Sequence, residues 1–316
     1  MEYPKTPQGS GKGFLSAAAR LALHPSPLRA VLFRRLLNKL WPSAVGNDSV
    51  AVQKPAYRYS MRAAAKLARS LGHRTVSVIE FGVAGGNGLL AMERHAADLE
   101  KELGIVFELY GFDTGAGLPP PEDYRDLPYH WKNGFFRMDP VALQAKLSRS
   151  RLVLGDVRDT CGNFFSRYKP APIGFISFDL DYYSSTMNAF QLFEGGREFF
   201  LPRLMLYFDD VIGDDTELYN EFTGELLAIA DFNLRSEDRK IAPCRHLVAK
   251  NPLEVWRYQI YSYHDFRHPQ YNQFISQEDQ QLCLHGAAHV LPSKSDRVEH
   301  LVTAGRRASL STGTEG

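Results

Sequence analysis

Acidic side chains follow five short apolar runs in the middle of the 316-residue chain. In chain order they are Glu80, Asp113, Asp156, the pair Asp179 and Asp181, and the pair Asp209 and Asp210. Because aspartate also caps helices, one or two such positions would carry little information, but five in the same place after an apolar run indicate a shared site. Carboxylate oxygens without histidine or cysteine suit a hard cation such as Mg²⁺.

Glycines at positions 82, 85, 86 and 88 crowd the stretch directly after Glu80. Glycine costs backbone entropy, so the cluster indicates that a ligand approaches the backbone closely. The spacing GxxGGxG is neither the GxGxxG of dinucleotide-binding loops nor the GxxxxGK[ST] of nucleoside triphosphate loops. An acid beside the loop disfavours a pyrophosphate. It favours a cationic or zwitterionic ligand, and S-adenosylmethionine (SAM), with an ammonium and a sulfonium, fits that description.

From about residue 50, β-rich runs alternate with helix-like segments. Strands are predicted at 75–81, 106–112, 151–154, 173–178 and 204–208, and two later ones at 245–249 and 254–261. Helices are predicted at 59–71, 89–103, 141–147, 185–193 and 216–231. This alternation predicts an α/β fold with a doubly wound, mostly parallel, Rossmann-like sheet. Ligands bind such sheets at the carboxyl ends of the strands, which is where the acids lie.

Composition excludes several classes of protein. The formal net charge of +1 gives no general attraction to nucleic acid or to anionic membranes. Three widely spaced cysteines form no disulfide framework, which is typical of a reducing compartment. No run of about 18 apolar residues and no signal peptide is found. We therefore predict a cytoplasmic protein without a transmembrane span that does not bind nucleic acid.

The two ends of the chain differ from its centre. Residues 1–45 are predicted to form a basic helical arm, partly disordered, before a main domain at 46–270. Residues 13–41 could contact a membrane surface through their basic side chains, or they could pack as helices with a solvated basic face. Residues 271–316 are predicted to be a C-terminal extension that is disordered at its end. Helical arms are common in dimers, and a homo-oligomer is expected.

Residues 75–215 resemble a class I SAM-dependent methyltransferase, and more narrowly the macrocin O-methyltransferase (TylF-like) family of sugar O-methyltransferases. The resemblance rests on the order and spacing of five motifs: EFGVAGGNG at 80–88, YGFDTGAGLP at 110–119, LGDVRDT at 154–160, FDLDYYSST at 178–186 and FDD at 208–210. The chain departs from the family at Leu180, where the family usually has glycine, and at Tyr183. These departures concern the methyl acceptor more than the cofactor.

The resemblance implies the roles of individual residues. The methionine part of SAM would be held by Glu80, Gly82 and Gly85, its ribose hydroxyls by Asp113, and its adenine would lie near Asp156. Asp179, Asp209 and Asp210 would bind Mg²⁺. The predicted catalytic residues are Asp179 and His130, with His130 as general base and Lys132 and Asp181 as its competitors.

The activity implied by the resemblance is transfer of a methyl group from SAM to a hydroxyl of a sugar, glycoside or polyol-like small molecule, assisted by a divalent metal. Two other functions remain open. An NAD(P)-dependent oxidoreductase is disfavoured by the glycine spacing and by the acid pair after the fifth strand. An inactive SAM-fold binding module, recruited through the basic arm, would tolerate replacement of Asp179, Asp209 and Asp210.

Overall fold

The structure, a computed structural model, describes residues 54–276. The basic arm predicted at 1–45 and most of the predicted C-terminal extension lie outside the described residues, so both remain predictions. The strands are β1 (Thr75–Phe81), β2 (Val106–Asp113), β3 (Arg151–Leu154), β4 (Ile173–Phe178), β5 (Phe200–Phe208), β6 (Arg239–Pro243) and β7 (Ile260–Asp265). The α-helices are α1 (Pro55–Ser70), α2 (Asn87–Leu103), α3 (Pro140–Gln144), α4 (Val157–Tyr168), α5 (Tyr183–Ala189), α6 (Gly224–Arg235) and α7 (Arg245–Lys250).

All seven strands belong to one sheet in the order β3-β2-β1-β4-β5-β7-β6. β1 to β5 pair in parallel, whereas β7 runs antiparallel to both β5 and β6. Buried apolar clusters cover both faces of the sheet, as expected for strands that are apolar along nearly their whole length. The sheet confirms the predicted doubly wound, mostly parallel, Rossmann-like fold.

Helix α1 reads as an amphipathic segment that begins at a proline, a residue preorganised for the first helical turn. Its buried face consists largely of alanines, and the small side chains let it lie close to the sheet. It packs against α2 and against the central strands β4 and β5. The same face carries Tyr57, which is fully buried and reaches the end of β1.

The chain winds in one direction from β1 to β3 and in the other from β4 onward, so the order of strands reverses between β1 and β4. Such a reversal opens a crevice at the carboxyl ends of the two strands. The glycine loop at 82–88 follows β1 and Asp179 follows β4. The fold therefore brings together the two segments that carry the strongest signals in the sequence.

Several predicted elements have other boundaries or another structure. Residues 245–250 form the short helix α7 instead of a strand, and the last strand begins at Ile260, because Val255–Arg257 forms a 3-10 turn. Helix α6 begins at Gly224 rather than at residue 216, since side-chain hydrogen bonds of Asp214 and Asn220 hold the preceding residues in turns. Helix α4 was not predicted. Within residues 54–276 no helix is both long and apolar enough to cross a bilayer.

Candidate functional site

A cavity of about 710 Å³ opens at the carboxyl ends of the strands, within the usual size range of small-molecule sites. Every residue predicted to hold the cofactor or the metal lines it, whereas His130 does not. Its acidic lining residues are Glu80, Asp113, Glu122, Asp156, Asp179, Asp181, Asp209, Asp210 and Glu217, and its basic ones are Lys54 and Arg158. Acidic side chains therefore far outnumber basic ones in the cavity wall.

Glycine is required at different positions of the loop for different structural reasons. Gly82 has φ +81°, and a Cβ there would overlap the backbone carbonyl oxygen of Asp179, so it allows the ends of β1 and β4 to approach. A Cβ at Gly88 would overlap the carboxyl group of Glu80. Only Gly85 combines a place in the cavity wall with open space around its missing Cβ. Gly85 is thus where a ligand could lie against the loop.

Glu80, the acid of β1, is 2 % exposed and reaches the cavity wall. Its Oε1 accepts a hydrogen bond of 2.8 Å from the Tyr57 hydroxyl, while its Oε2 is buried without a partner. Burial raises the pKa of Glu80 to about 7, although the bond from Tyr57 and the charge of Lys54 oppose that shift. A cation placed beside Oε2 would satisfy the orphaned oxygen and stabilise the carboxylate.

Tyr57 and Ser177 orient Glu80, and neither residue was predicted from the sequence. The Ser177 hydroxyl donates to the Tyr57 oxygen at 2.7 Å, and Tyr57 donates in turn to Glu80. All three residues are buried. The chain of hydroxyls fixes which oxygen of Glu80 is left for a ligand.

Asp113 ties the glycine loop to the end of β2. Its Oδ2 accepts from the backbone N–H groups of Val83 and Ala84, both at 2.9 Å, and its Oδ1 accepts from Gly115 at 2.6 Å. Three backbone donors on one carboxylate form a charge-assisted cluster, stronger than neutral hydrogen bonds. The predicted contact of Asp113 with ribose hydroxyls stays a prediction, because in the structure this carboxylate holds the loop.

We expect Asp113→Asn to lower the free energy of unfolding by about 2–3 kcal/mol, because an amide NH₂ would face a backbone N–H donor. In a domain of this size each kcal/mol corresponds to about 2–4 °C in Tm. Thermal unfolding measures the difference. Asp98→Asn is the matched control, since Asp98 is exposed on α2 and forms only a surface ion pair with Arg58. Equal Tm values for the two variants would contradict the role given to Asp113.

Asp156 lies on the β3 side of the cavity at the start of α4. Its carboxylate accepts from the backbone N–H of Arg158 at 2.9 Å, which caps the helix, and forms an ion pair of 3.1 Å with the Arg158 guanidinium. The predicted proximity of Asp156 to adenine is compatible with this position and is otherwise untested.

The acids after β4 and β5 form a cluster in which Asp181 and Asp210 are buried and Asp179 and Asp209 are partly exposed. Asp210 Oδ2 accepts from the backbone N–H of Asp181 at 2.8 Å, and Oδ1 accepts from the Tyr219 hydroxyl at 2.8 Å. The backbone N–H of Asp210 donates to Glu225, an acid of α6 that the sequence analysis missed. Burial, reinforced by Asp209, raises the pKa of Asp210 to about 7, and burial with Asp210 nearby raises the pKa of Glu225 well above its usual value.

Lys54 supplies a positive charge to this cluster. Its Nζ lies 3.8 Å from Asp179 Oδ2 and 5.0 Å from the centroid of the Tyr57 ring. Asp209 has a hydrogen-bond donor of its own, because its Oδ1 accepts from the Tyr207 hydroxyl. Burial and the neighbouring acids raise the pKa of Asp179, and Lys54 opposes that shift.

The predicted magnesium site is not supported by this arrangement. Asp179, Asp209 and Asp210 do meet at one edge of the sheet, but protein donors occupy both oxygens of Asp210 and one of Asp209, and an ammonium lies beside Asp179. Among the described residues no three side chains of the ligating types stand in a metal-binding arrangement. Mg²⁺ demands near-octahedral oxygen ligands at about 2.0–2.1 Å, which these engaged carboxylates do not offer.

His130 lies in the loop beyond the cavity wall. Its Nε2 is 3.8 Å from Oε1 of Glu217, and its ring meets the ring of Trp131 edge-on at 4.3 Å between centroids. Glu217 and Trp131 line the cavity, so His130 touches its wall from behind. The sequence placed His130 in the correct loop without showing which side of that loop faces the cavity.

No family model matches the sequence, and no curated protein matches it either. Similar solved structures include the calicheamicin methyltransferase CalS11, with 21% identity and a TM-score of 0.42 over 67% of this chain and 86% of that one. The O-methyltransferase NovP shows 12% identity and a TM-score of 0.44 over 67% and 80%. The plantazolicin methyltransferase BpumL, in complex with SAH, shows 13% and 0.34 over 76% and 90%. All three are methyltransferases, but at these TM-scores the similarity carries no conclusion about the function of this chain.

Proposed function

We propose that this protein is a SAM-dependent O-methyltransferase that acts on a hydroxyl of a sugar, glycoside or polyol-like small molecule. The observation that carries the proposal is the buried, unpartnered Oε2 of Glu80 beside a glycine loop at the strand reversal. An orphaned carboxylate oxygen in an apolar strand end is costly unless a donor satisfies it. The ammonium of the methionine part of SAM is such a donor, and a pyrophosphate is repelled there.

The remaining walls of the cavity fit the rest of such a ligand. Gly85 leaves room for close approach to the loop, and Asp156 with Arg158 closes the β3 side, where the adenine is proposed to lie. Asp113 keeps its proposed place near the ribose, with its carboxylate holding the loop that the ligand would contact.

Bound SAM would supply a methyl group on a sulfonium, which passes to the acceptor oxygen as the carbon–sulfur bond breaks and leaves its electron pair on sulfur. The residues of this chain would hold the two reactants in line, and positioning of that kind provides much of the rate in bimolecular transfers. His130 remains the proposed base for the hydroxyl proton, which would reach it through Glu217, the residue between His130 and the cavity. Metal assistance has no place in the proposal, because the three carboxylates are already engaged by protein donors and Lys54.

Isothermal titration calorimetry with SAM and with S-adenosylhomocysteine (SAH), each in the presence of Mg²⁺ and of EDTA, tests the proposal. We expect both ligands to bind with micromolar affinity in either condition. SAM should bind more tightly than SAH, because its sulfonium adds a second positive charge in a cavity lined by acids. NAD⁺ is the control ligand and should not bind. Failure of both SAM and SAH to bind would overturn the proposal and leave the glycine loop as a turn.

The part of the cavity lined by Asp179, Asp181, Asp209 and Asp210, called the acid end below, also predicts which acceptors are excluded. Like charges brought together in a binding site cost several kcal/mol, so a phosphorylated sugar or a nucleotide sugar should be methylated at least about 100-fold less efficiently than a neutral glycoside. The measurement is kcat/KM from SAH formation, with matched neutral and phosphorylated acceptors. Preferential use of the phosphorylated acceptor would contradict the charge assigned to this end.

A further inference from the structure

The acid end of the cavity needs a positive charge, and the described residues offer one. Carboxylates that cluster without a cation repel one another and tend to keep their protons. Two basic side chains line the cavity in the part of the chain that the structure describes, and Arg158 is paired with Asp156 on the β3 side. Lys54 is the one at the acid end.

Three contacts hold the Lys54 ammonium in place. Its Nζ lies 3.8 Å from Asp179 Oδ2, and it stands 5.0 Å and 5.8 Å from the ring centroids of Tyr57 and Tyr207. Aromatic faces attract an ammonium at such distances, and more strongly where water is excluded. The side chain of Lys54 is 22% exposed and lines the cavity, so its remaining N–H groups can reach a ligand.

The carboxylates complement this ammonium rather than a divalent ion. Both oxygens of Asp210 accept hydrogen bonds from the protein, and Asp209 accepts one from Tyr207. A divalent cation bound by all three acids would have to displace the donors of Asp210, and in the wild-type protein it would also have to approach a fixed positive charge. An ammonium needs only one carboxylate oxygen at a moderate distance, which Asp179 provides.

We propose that the Lys54 ammonium takes the place of a divalent metal in this site and donates a hydrogen bond to the acceptor oxygen. The inference rests on the proposed function, since it assigns the charge that stabilises the acceptor oxygen as its proton leaves, before the oxygen takes the methyl group. A donor fixed where negative charge develops acts as in an oxyanion hole. Lys54 is then a catalytic residue, and the acids around it keep its ammonium oriented.

The first test uses Mn²⁺ as the probe, followed by electron paramagnetic resonance, and needs no acceptor. We expect the wild-type protein to leave Mn²⁺ free. Lys54→Met should bind it, because the Asp179 carboxylate then loses its ammonium, and Oδ2 of Asp209, unlike Oδ1, accepts no hydrogen bond from the described residues. Lys54→Arg keeps the charge and should behave as the wild type does. Lys66→Met, which removes an exposed lysine from helix α1, is the matched control.

Binding of Mn²⁺ to the wild-type protein that is lost in Asp209→Asn would overturn the inference, and this arm is decisive even if Lys54→Met fails to fold. Failure of a folded Lys54→Met to gain Mn²⁺ would also overturn it. SAM titrations run in parallel separate the two proposals. Absence of SAM binding would contradict the proposed function, whereas the Mn²⁺ result decides whether Lys54 or a divalent metal neutralises the acids.

A second test follows once a methyl acceptor is identified. Methyl transfer by the wild-type protein should be unchanged by EDTA, and Lys54→Met should lower kcat by about 10²–10³-fold, as expected for the loss of one oxyanion donor. Loss of wild-type activity in EDTA with recovery on Mg²⁺ would assign the charge to a metal instead.

Discussion

Gly82→Ala is expected to lower the free energy of unfolding by about 2–5 kcal/mol, whereas Gly85→Ala leaves it unchanged. The cost at Gly82 has two sources. Its φ of +81° is unfavourable for a residue with a Cβ by about 1–2 kcal/mol. The added Cβ would also overlap the carbonyl oxygen of Asp179, and overpacking against backbone costs about 1–3 kcal/mol more. Chemical denaturation of the three proteins measures the difference.

Gly104→Ala separates these two sources. Gly104 has φ +67° at the C-terminus of α2, but a Cβ there would meet nothing within 4 Å. Gly104→Ala should therefore show only the loss of unfolding free energy that comes from a Cβ at positive φ. If Gly82→Ala is no less stable than Gly104→Ala, the close approach of β1 and β4 is not as tight as described.

Gly85→Ala should act on the ligand instead. A Cβ there enters open space at the cavity wall, so the folded protein is not strained. We expect SAM to bind at least about tenfold more weakly, which corresponds to about 1.4 kcal/mol. Unchanged affinity would mean that the ligand does not lie against this part of the loop.

Glu80→Gln is expected to weaken SAM binding by about 10–150-fold without destabilising the free protein. The loss corresponds to a hydrogen bond to a charged group, about 1.5–3 kcal/mol. The free protein loses nothing comparable, because Oε2 of Glu80 has no partner and burial already disfavours its charge. Calorimetric Kd and Tm of the same samples test both statements.

Glu93→Gln is the matched control and should behave in the opposite way. Glu93 lies on α2, and its carboxylate accepts from the backbone N–H groups of Ser148, Arg149 and Ser150. Burial opposes ionisation, but a bond from the Ser148 hydroxyl together with these backbone bonds lowers the pKa of Glu93 to about 2. Glu93→Gln should therefore lower Tm while SAM affinity stays the same, and weakened SAM binding in both variants would point to a general loss of structure.

The dependence of binding on pH adds a second signature of Glu80. Its pKa of about 7 in the free protein means that the carboxyl group is neutral below that pH, so binding of a cation must release a proton there. Affinity for SAM should fall by up to about tenfold per unit as pH falls below 7 and level off above it. The SAM affinity of Glu80→Gln should not change with pH over this range. An equal pH dependence in both proteins would assign the proton to another group such as Asp210.

The sequence predicted the sheet and the place of the acids because both depend on local pattern. Strands β1 to β4 are short apolar runs, each ending at a carboxylate or glycine, and their ranges agree with the prediction to within one residue. The glycine loop was also located correctly, although Gly82 and Gly88 serve packing inside the fold and Gly85 alone faces open space.

The contacts that decide the chemistry of the site could not be predicted in the same way. Tyr57 lies 23 residues before Glu80, and their hydrogen bond depends on how α1 docks on the sheet. The engagement of Asp210 depends on the loop that carries Tyr219, a segment the sequence suggested was helical. Periodicity and spacing describe single elements, and these contacts join elements that are distant in the chain.

The hydrogen bond between α1 and β1 couples the stability of α1 to the binding of a ligand in the cavity. Tyr57 lies in the first turn of α1 and Lys54 directly precedes the helix, and the two contact acids at the carboxyl ends of β1 and β4. A cation that stabilises the Glu80 carboxylate also strengthens the bond that anchors the helix, so each event favours the other to the same extent. Amide hydrogens of α1 should consequently exchange more slowly when the cavity is filled, and the helix would serve as a native reporter of ligand binding.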